Sequence, residues 1–447
     1  MYRKIIPLLI LVLNALPAMA LAQTSYGMPE VDARTYALWQ AADWDGLISE
    51  GRSALRNGID FYYLRYRLGV AWYEKGNYHL AIRHFEKAAA FDYSDITLKE
   101  YLYYANLFAG RRTEAAVVAD GFPVSLQQKT GTEKGTGIWQ FDLFLNLNSG
   151  AEKSVTGNYN PGAFVTDDGS QSISGGHRYI SLGLQQQASS SFWLYHAYSG
   201  MIKQNFVYPV TAGVSSGRTK STLYLNQYYL SGTWRSARNL ELFAGFHYLN
   251  ISYPAEQTVF RQGRSYMVST RSYEHDYLLF AGIRRHFTGF TLSWSPQMSN
   301  LNNRVQYQQD LTAAIYPAGN LNLYFITTLV HQNGDLPGQS RADRLIAGQL
   351  AGARLLPFLW LEASATLGNM HNFTTHQGLV VYNNNETVTQ RYGGSALFYI
   401  GNTWLLRIDY NRFNNESHFI TISGTTDQAD PISYYTHSLT FGLSWIF

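Results

Sequence analysis

Most of this chain consists of short segments in which large apolar residues alternate with small or polar ones. The final segment, residues 437–447, reads HSLTFGLSWIF, and every second residue counted back from its end is large. A period of two places the two sets of side chains on opposite faces of a β-strand. We find about fourteen such segments, near 138–148, 177–187, 192–206, 221–234, 240–253, 272–286, 289–296, 304–316, 320–332, 341–355, 358–370, 388–400, 402–415 and 433–447.

The connections between these segments alternate between long and short. Short connections include RSARN, PAGN and GN at 401–402, and long ones include 149–176, 207–220, 254–271, 371–387 and 416–432. A soluble sandwich has no reason to sort its loops in this way. An even strand count with long loops at one end and tight turns at the other is typical of outer-membrane barrels. The sequence therefore predicts a transmembrane antiparallel β-barrel of about 14 strands over residues 138–447.

The composition agrees with a membrane barrel and excludes several other classes. Charged residues and aromatic residues each make up 15% of the chain, and 34 residues are tyrosine. No apolar run beyond Leu21 is long enough for a spanning helix. The balance of 34 basic against 31 acidic residues offers no general field for nucleic acid. The absence of cysteine excludes disulfides and thiolate metal sites.

The N-terminus resembles a signal peptide. Arg3 and Lys4 precede an apolar run that ends in a small-x-small pattern before Gln23. An N-terminal membrane anchor is the alternative, but Pro7 and Pro17 interrupt the run. We predict a signal peptide at 1–22, and removing it leaves 32 basic against 31 acidic residues.

Aromatic residues mark the ends of the predicted strands. Seven of the ten tryptophans follow the linker described below, and six of these lie near short turns, which predicts an aromatic girdle on that side. The last strand carries Phe441, Trp445 and Phe447. A terminal aromatic after an alternating strand resembles the signal recognised by the bacterial barrel-assembly machinery. The alternative is an ordinary amphipathic strand that happens to end the chain.

Residues 23–120 differ from the rest because their periodicity is helical. Seven residues have the spacing of a tetratricopeptide repeat (TPR): Leu68, Gly69, Trp72, Gly76, Ala81, Phe85 and Ala88. Weaker echoes 34 residues away indicate two and a half to three repeats, and an ordinary helical hairpin is the alternative. We predict a small all-α domain here, followed by a Gly/Thr/Lys-rich linker at 121–137.

Polar residues in the barrel strands should face inward, because a charge facing lipid costs roughly 2–4 kcal/mol at the midplane. The candidates for the lumen are Asp142, Asn146, Arg407, Asp409 and Asn411. They could line a polar pore or form an internal charge network that closes the barrel. Fourteen strands enclose more space than side chains alone can fill. The loop 149–176 and the linker are candidate lids.

Catalytic motifs are lacking, and we predict a non-enzymatic protein without cofactor or metal. The chain contains none of the common hydrolase, zinc-protease or phosphate-loop motifs. The stretch YEHD at 273–276 could supply a proton-transfer pair, and NMHNFTTH at 369–376 carries two histidines. Neither forms the constellation that such chemistry requires.

The layout as a whole, with helical repeats before a barrel that ends in an aromatic, resembles YaiO-like outer-membrane barrels and the exporters of poly-N-acetylglucosamine-type polysaccharide. The resemblance covers the mature chain in layout and is specific only for residues 62–95 and the terminal strand. It implies the outer membrane of a Gram-negative bacterium, with outer-membrane lipid around the barrel and the helical domain in the periplasm.

Three functions remain open from the sequence. The first is a pore or export component whose helical domain docks a periplasmic protein partner, with a glycan as one candidate cargo. The second is an uptake channel for small or apolar solutes. The third is a structural anchor in a secretion or surface complex. The partner-binding surface that such repeats usually provide favours the first and the third.

Overall fold

A computed structural model describes residues 27–132, 137–160, 167–215, 217–261, 264–336, 339–421 and 431–447. The predicted signal peptide at 1–22 lies outside the described residues. None of the described helices has the length and apolar character needed to cross a membrane.

The helices precede the barrel and pack as three antiparallel hairpins followed by a single short helix. They are α1 Met28–Gln40, α2 Trp44–Arg56, α3 Tyr62–Glu74, α4 Tyr78–Phe91, α5 Ile96–Phe108, α6 Arg112–Asp120, α7 Val124–Thr130 and, within the barrel region, α8 Lys153–Asn158. Side chains of Asp43, Asn77 and Asp95 cap the N-termini of α2, α4 and α5 by accepting backbone N–H groups.

The residues with TPR spacing lie where α3 meets α4. Gly69 lies so close to the second helix that a Cβ there would come within 2.4 Å of the Phe85 ring, so only glycine allows this approach. Ala81 and Ala88 are fully buried in the same contact. Gly76 has a φ of 71° and occupies the left-handed position that commonly ends a helix. Leu68 and Trp72 complete the packing on α3.

The predicted linker at 121–137 is partly helical. Helix α7 occupies Val124–Thr130, and Phe122 and Leu126 are both 5% exposed in the core of the helical domain. The abundance of Gly and Thr in this segment led to the prediction of a linker, although the segment contains these two apolar residues that anchor it to the core. Of the remaining residues, 133–136 lie outside the described part of the chain.

Eighteen strands follow in the described residues. Numbered in chain order they are β1 Gly137–Asn148, β2 Gly169–Ser189, β3 Phe192–Thr211, β4 Val214–Ser215, β5 Thr219–Ala237, β6 Leu240–Arg261, β7 Arg264–Phe287, β8 Phe290–Ser299, β9 Gln306–Ile315, β10 Leu323–Leu336, β11 Gln339–Leu356, β12 Leu359–Leu367, β13 Phe373–Thr375, β14 Val380–Tyr382, β15 Thr387–Ile400, β16 Trp404–Ser417, β17 Phe419–Thr421 and β18 Ile432–Ile446.

Fourteen of these strands form a closed antiparallel barrel, which confirms the predicted fold. All except β4, β13, β14 and β17 take part, and each pairs with the next barrel strand along the chain. The last strand, β18, pairs with β1 over nine residues and closes the sheet. Closure leaves no open sheet edge in the membrane.

The two faces of the barrel differ as the alternation requires. Leu143 pairs with Leu443, and Leu145 pairs with Phe441, on the outer face. The neighbouring pair Asp142 and Ser444 faces inward, and both are buried. The apolar exterior matches a lipid environment, and the polar side chains are gathered in the lumen.

The helical domain lies against the short-turn end of the barrel. It contacts the turns between β2 and β3, β5 and β6, β7 and β8, and β9 and β10. The long connections leave from the opposite end.

Candidate functional site

One long connection folds into the lumen. We call residues 368–386, between β12 and β15, the inner loop; it carries the small hairpin β13–β14. Its apolar side chains pack on inward-facing residues of the barrel wall. The contacts, with the loop residue first, are Met370 and Phe373 on Val330 and Ile346, Leu379 on Leu278 and Phe280, and Val381 on Leu249 and Ile251.

Glutamine side chains of β9 and β10 hold the backbone of the inner loop. Gln306 Nε2 and Gln332 Nε2 both donate to the Asn372 carbonyl at 2.8 Å. Gln308 Nε2 donates to the Thr374 carbonyl at 2.8 Å, and its Oε1 accepts the Thr374 N–H at 3.2 Å. These bonds satisfy backbone groups that would otherwise be buried without partners. They fix the loop against one half of the wall.

A buried ion pair holds the C-terminal end of the inner loop. Lys203 Nζ of β3 lies 2.8 Å from Glu386 Oε1, and both side chains are at most 5% exposed. The same ammonium group donates to Asn384 Oδ1 at 2.7 Å. Removing either charge would leave the other buried without a counter-ion.

The tip of the inner loop, residues 376–378, crosses the lumen. Tyr229 OH donates to the Gln377 carbonyl at 3.1 Å, and His247 Nδ1 donates to the Gly378 carbonyl at 2.8 Å. All three tip residues have positive φ values, including His376 at 54°, a region that residues other than glycine rarely adopt. The wall contacts therefore hold a tight turn in the middle of the barrel.

The half of the lumen opposite the inner loop remains accessible to water. We call this space the chamber. Its wall is made of inward-facing residues of β12, β15 and β16, namely Glu362, Ser364, Arg391, Ser395, Arg407 and Asp409. His376 at the loop tip is exposed within the lumen.

Arg407 is the centre of a charge network in the chamber wall. Its Nε lies 2.7 Å and 2.9 Å from the two carboxylate oxygens of Asp409. Its Nη2 lies 3.1 Å from Glu362 Oε2, and Tyr324 OH donates to the other oxygen of that carboxylate at 2.5 Å. Arg407 nevertheless keeps 34% of its side-chain exposure. The network and the water-accessible space therefore coexist.

The other predicted lumen residues also face inward. Asp142 accepts the Ser444 hydroxyl at 2.5 Å, and Asn146 Nδ2 donates to Ser438 and Thr440 at 2.6 Å. These bonds connect β1 to β18 at the closure of the barrel. The remaining candidate, Asn411, accepts a bond from Arg391 in the chamber.

A buried arginine docks the helical domain on the short-turn end of the barrel. Arg111, between α5 and α6, is 4% exposed. Its guanidinium donates to Asn239 Oδ1 at 3.0 Å and to the Phe287 carbonyl at 2.8 Å, and it lies 3.0 Å from Nδ1 of His79. We call this contact and its neighbours the latch, defined by His79, Arg111, Thr113, Glu114, Asn239 and Glu241.

Two buried carboxylates complete the latch. Glu114 of α6 accepts the Asn239 N–H at 2.5 Å and pairs with Arg235 of β5 at 2.8 Å. Glu241 of β6 accepts the Thr113 hydroxyl and pairs with Arg284 at 2.8 Å. Glu114 thus bonds the barrel from the helical domain, and Glu241 bonds both its own barrel wall and the helical domain. Docking depends on polar contacts with defined geometry.

The turn between α3 and α4 forms a second contact with the barrel. Asn320 Nδ2 donates to the Gly76 carbonyl at 2.8 Å, and the His79 N–H donates to the Gly319 carbonyl at 3.1 Å. The His79 ring stacks on Tyr316 with 4.9 Å between ring centroids. Gly76, identified from the repeat pattern, therefore also takes part in docking.

Acid pH should loosen the latch. Burial lowers the pKa of His79 from its ordinary 6.5 to about 3, and the charges of Arg111 and His286 act in the same direction. The guanidinium only donates, so Nδ1 of docked His79 must accept and stay unprotonated. Docking is therefore strongest above pH 6.5 and should weaken by about 1.4 kcal/mol per pH unit below it.

We expect amide hydrogen exchange at Asn239, normalised for the intrinsic pH dependence of exchange, to lose protection about tenfold between pH 5.5 and 4.5. His79→Gln should remove most of this pH dependence. An equal loss of protection in both proteins would show that another group titrates.

The tryptophans divide between two roles. Four face outward and are 37–49% exposed: Trp234, Trp294, Trp404 and Trp445. Trp193 and Trp360 face inward, so the girdle prediction is wrong for these two. Trp193 meets Trp139, over which Arg112 of the helical domain lies at 4.1 Å, and Trp360 Nε1 donates to the Leu321 carbonyl. Their position near the turns reflects the docking of the helical domain.

The C-terminal aromatic residues lie on the outer face. Phe441, Trp445 and Phe447 are 42%, 40% and 56% exposed. Trp445 stacks between Trp404 and Phe447, with centroid separations of 5.3 Å and 4.5 Å.

The weaker catalytic candidates are not brought together. His275 faces outward and bonds Tyr248 OH at 2.7 Å, whereas Asp276 faces inward and is fully buried. His371 is buried within the inner loop, while His376 is exposed at its tip. Neither pair shares a site.

Of the two candidate lids, the described part of 149–176 lies at the long-loop end. Tyr208 OH donates to the Thr156 carbonyl of α8 at 2.7 Å. The inner loop is the lumenal obstruction instead. Its sequence did contain a signal, because residues 370–382 include Met370, Phe373, Leu379 and Val381, unusual for an exposed loop.

Comparisons with known proteins show similarity in fold only. No protein-family model and no curated protein matches the chain. Among solved structures it is similar to the toluene transporter TodX of Pseudomonas putida (TM-score 0.44, 8% identity, covering 70% of this chain and 90% of that one). It is also similar to a Pseudomonas aeruginosa FadL homologue (TM-score 0.42, 11% identity, covering 70% of this chain and 90% of that one). A third similar structure is a bacterial polysaccharide outer membrane secretin (TM-score 0.38, 9% identity, covering 70% of this chain and 99% of that one). The fold is that of an outer-membrane β-barrel.

Proposed function

We propose that this protein is a gated outer-membrane channel for a small polar solute. The observation that supports this most directly is the chamber, a water-accessible space inside a closed barrel with charged residues on its wall. The inner loop obstructs the lumen and the helical domain covers one mouth. Hydrogen bonds and ion pairs take part in holding both obstructions, and they can be exchanged for water when the channel opens.

The orientation follows the usual arrangement of such barrels, in which short turns face the periplasm. The helical domain would then regulate the periplasmic mouth. TodX and the polysaccharide secretin are named for apolar and glycan cargo, and these remain alternatives. A charged wall disfavours an apolar solute, because the polar groups of the wall would lose their water without gaining hydrogen-bond partners from the solute.

A partner-docking role for the helical domain is a second part of the proposal. Ring contacts connect tyrosines of α3, α4 and α5 into one partly exposed aromatic surface, including Tyr73 to Tyr101 at 5.2 Å and Tyr78 to Phe108 at 5.0 Å. This surface does not take part in the latch. A periplasmic protein bound there could pull the domain away from the barrel.

Liposome swelling with the full-length protein tests the channel. The chain lacks cysteine, so a pair can be introduced at the edge of the docked domain by Asp120→Cys and Ser190→Cys, where the native side chains lie 3.4 Å apart. We expect a small polar solute to enter liposomes, and a short reducible thiol cross-linker to stop entry until reductant is added.

The matched control is Asp120→Cys alone, treated with the same reagent, which should continue to conduct. Entry that persists after cross-linking would show that the helical domain does not regulate the mouth. No entry of any polar solute, with or without the cross-link, would refute the channel and favour the anchor.

A further inference from the structure

One arginine in the chamber has no counter-ion in the part of the chain that the structure describes. Arg391 of β15 faces inward, and its Nε donates to Asn411 Oδ1 at 2.8 Å. Its two Nη groups bond none of the described residues. The two carboxylates of the chamber wall, Asp409 and Glu362, are both engaged by Arg407. Arg391 therefore leaves a positive charge directed at the chamber without an acidic partner.

The surroundings of Arg391 offer a further hydrogen-bond donor. The Asn411 amide has an Nδ2 without an acceptor among the described residues. Gly393 also faces the chamber, and a Cβ there would lie 2.4 Å from Asn411 Oδ1 and 2.8 Å from Ser364 Oγ. Glycine avoids these clashes and keeps this part of the wall flat.

A guanidinium group matches the planar oxygen pair of a carboxylate or phosphate and binds it through two parallel bonds. In a narrow lumen of lowered dielectric, such a bond is stronger than in bulk water. The adjoining Asn411 amide can donate to a third oxygen. Neutral solutes would leave the guanidinium without a partner.

We propose that Arg391 and Asn411 form a binding site for an oxyanion, so that the cargo carries a carboxylate or phosphate group. This inference rests on the proposed channel function for its biological meaning, but the site can be tested without transport. Arg391 would bind the anion, and Asn411 would orient it.

Calorimetric titration of the full-length protein in detergent tests the site, with inorganic phosphate and acetate as probes. We expect phosphate binding to weaken at least tenfold in Arg391→Gln. The matched control is Arg412→Gln on the neighbouring strand, because Arg412 faces outward over the Tyr435 ring at 3.9 Å and its loss should leave binding unchanged. Binding of acetate as well would extend the site to carboxylates, whereas binding of phosphate alone would restrict it to phosphate.

Two results would overturn the site: equal binding by Arg391→Gln and the unaltered protein, or no binding by the unaltered protein. Each is distinct from failure of the channel. Phosphate binding without solute entry would support the site and refute transport, whereas entry of polar solutes without phosphate binding would refute the site alone.

Discussion

Replacing residues 369–385 by a four-residue Gly-Ser linker should raise the ion flux through the barrel whenever the helical domain is released. The inner loop is anchored to strands from β3 to β11 and fills that half of the lumen. Without it, fourteen strands surround an aqueous space. In planar bilayers we expect open steps of markedly larger conductance than those of the unaltered protein.

The wall does not need the loop to stay closed. Leu367 pairs with Gln390 and Thr387 pairs with Glu416 in the sheet itself. The matched control replaces residues 153–158, which form α8 at the long-loop end, with the same linker; this should leave conductance low. If the loop-less protein folds and its open steps are no larger than those of the unaltered protein, the inner loop is not the obstruction.

The barrel could be predicted from the sequence because its physical cause is local. Lipid outside and water or protein inside impose opposite preferences on neighbouring residues. The sequence of each strand therefore alternates between apolar and polar residues, and this alternation can be recognised without knowing the rest of the fold. The segment near 402–415 shows this: Leu406, Ile408 and Tyr410 face outward and Arg407 and Asp409 face inward. All fourteen predicted segments correspond to barrel strands.

Position near a turn, by contrast, did not identify the role of each tryptophan. Trp193 and Trp234 both lie beside short turns, but Trp234 pairs with outward Phe192, and Trp193 pairs with inward Thr233. What distinguishes the two tryptophans is the face of the strand that each occupies in the inward and outward alternation. The reason for an inward indole is the docked helical domain, which no local pattern reveals.

The arrangement within the lumen depends on contacts between distant parts of the chain. Thr374 meets Gln308 across 66 residues, and Thr113 meets Glu241 across 128. No regular spacing in the sequence indicates that such distant residues will be in contact. The apolar content of the inner loop indicated burial, but it could not indicate which side of the wall the loop would pack on. Arg391 could not be distinguished from other inward residues until Asp409 and Glu362 were seen to engage Arg407.

Arg111→Ala should release the helical domain from the barrel. The guanidinium bonds Asn239 and the Phe287 carbonyl and lies against Nδ1 of His79, so its loss leaves buried acceptors without a donor. Truncating one member of a buried, hydrogen-bonded charged contact costs about 2–5 kcal/mol. The docking equilibrium should therefore shift at least about thirtyfold toward the released state, with more frequent channel openings and faster hydrogen exchange at Asn239.

Arg56→Ala, at the exposed end of α2, removes the same charge from a surface that does not contact the barrel, and should change neither measurement. Circular dichroism and the heat resistance of the barrel in detergent should be equal in both variants, because β1 to β18 do not depend on Arg111 for closure. If Arg111→Ala exchanged and conducted like the unaltered protein, the latch would not hold the domain in place. Faster exchange at Asn239 without more openings would instead locate the gate at the inner loop, whose bonds to Gln306, Gln308 and Gln332 are independent of Arg111.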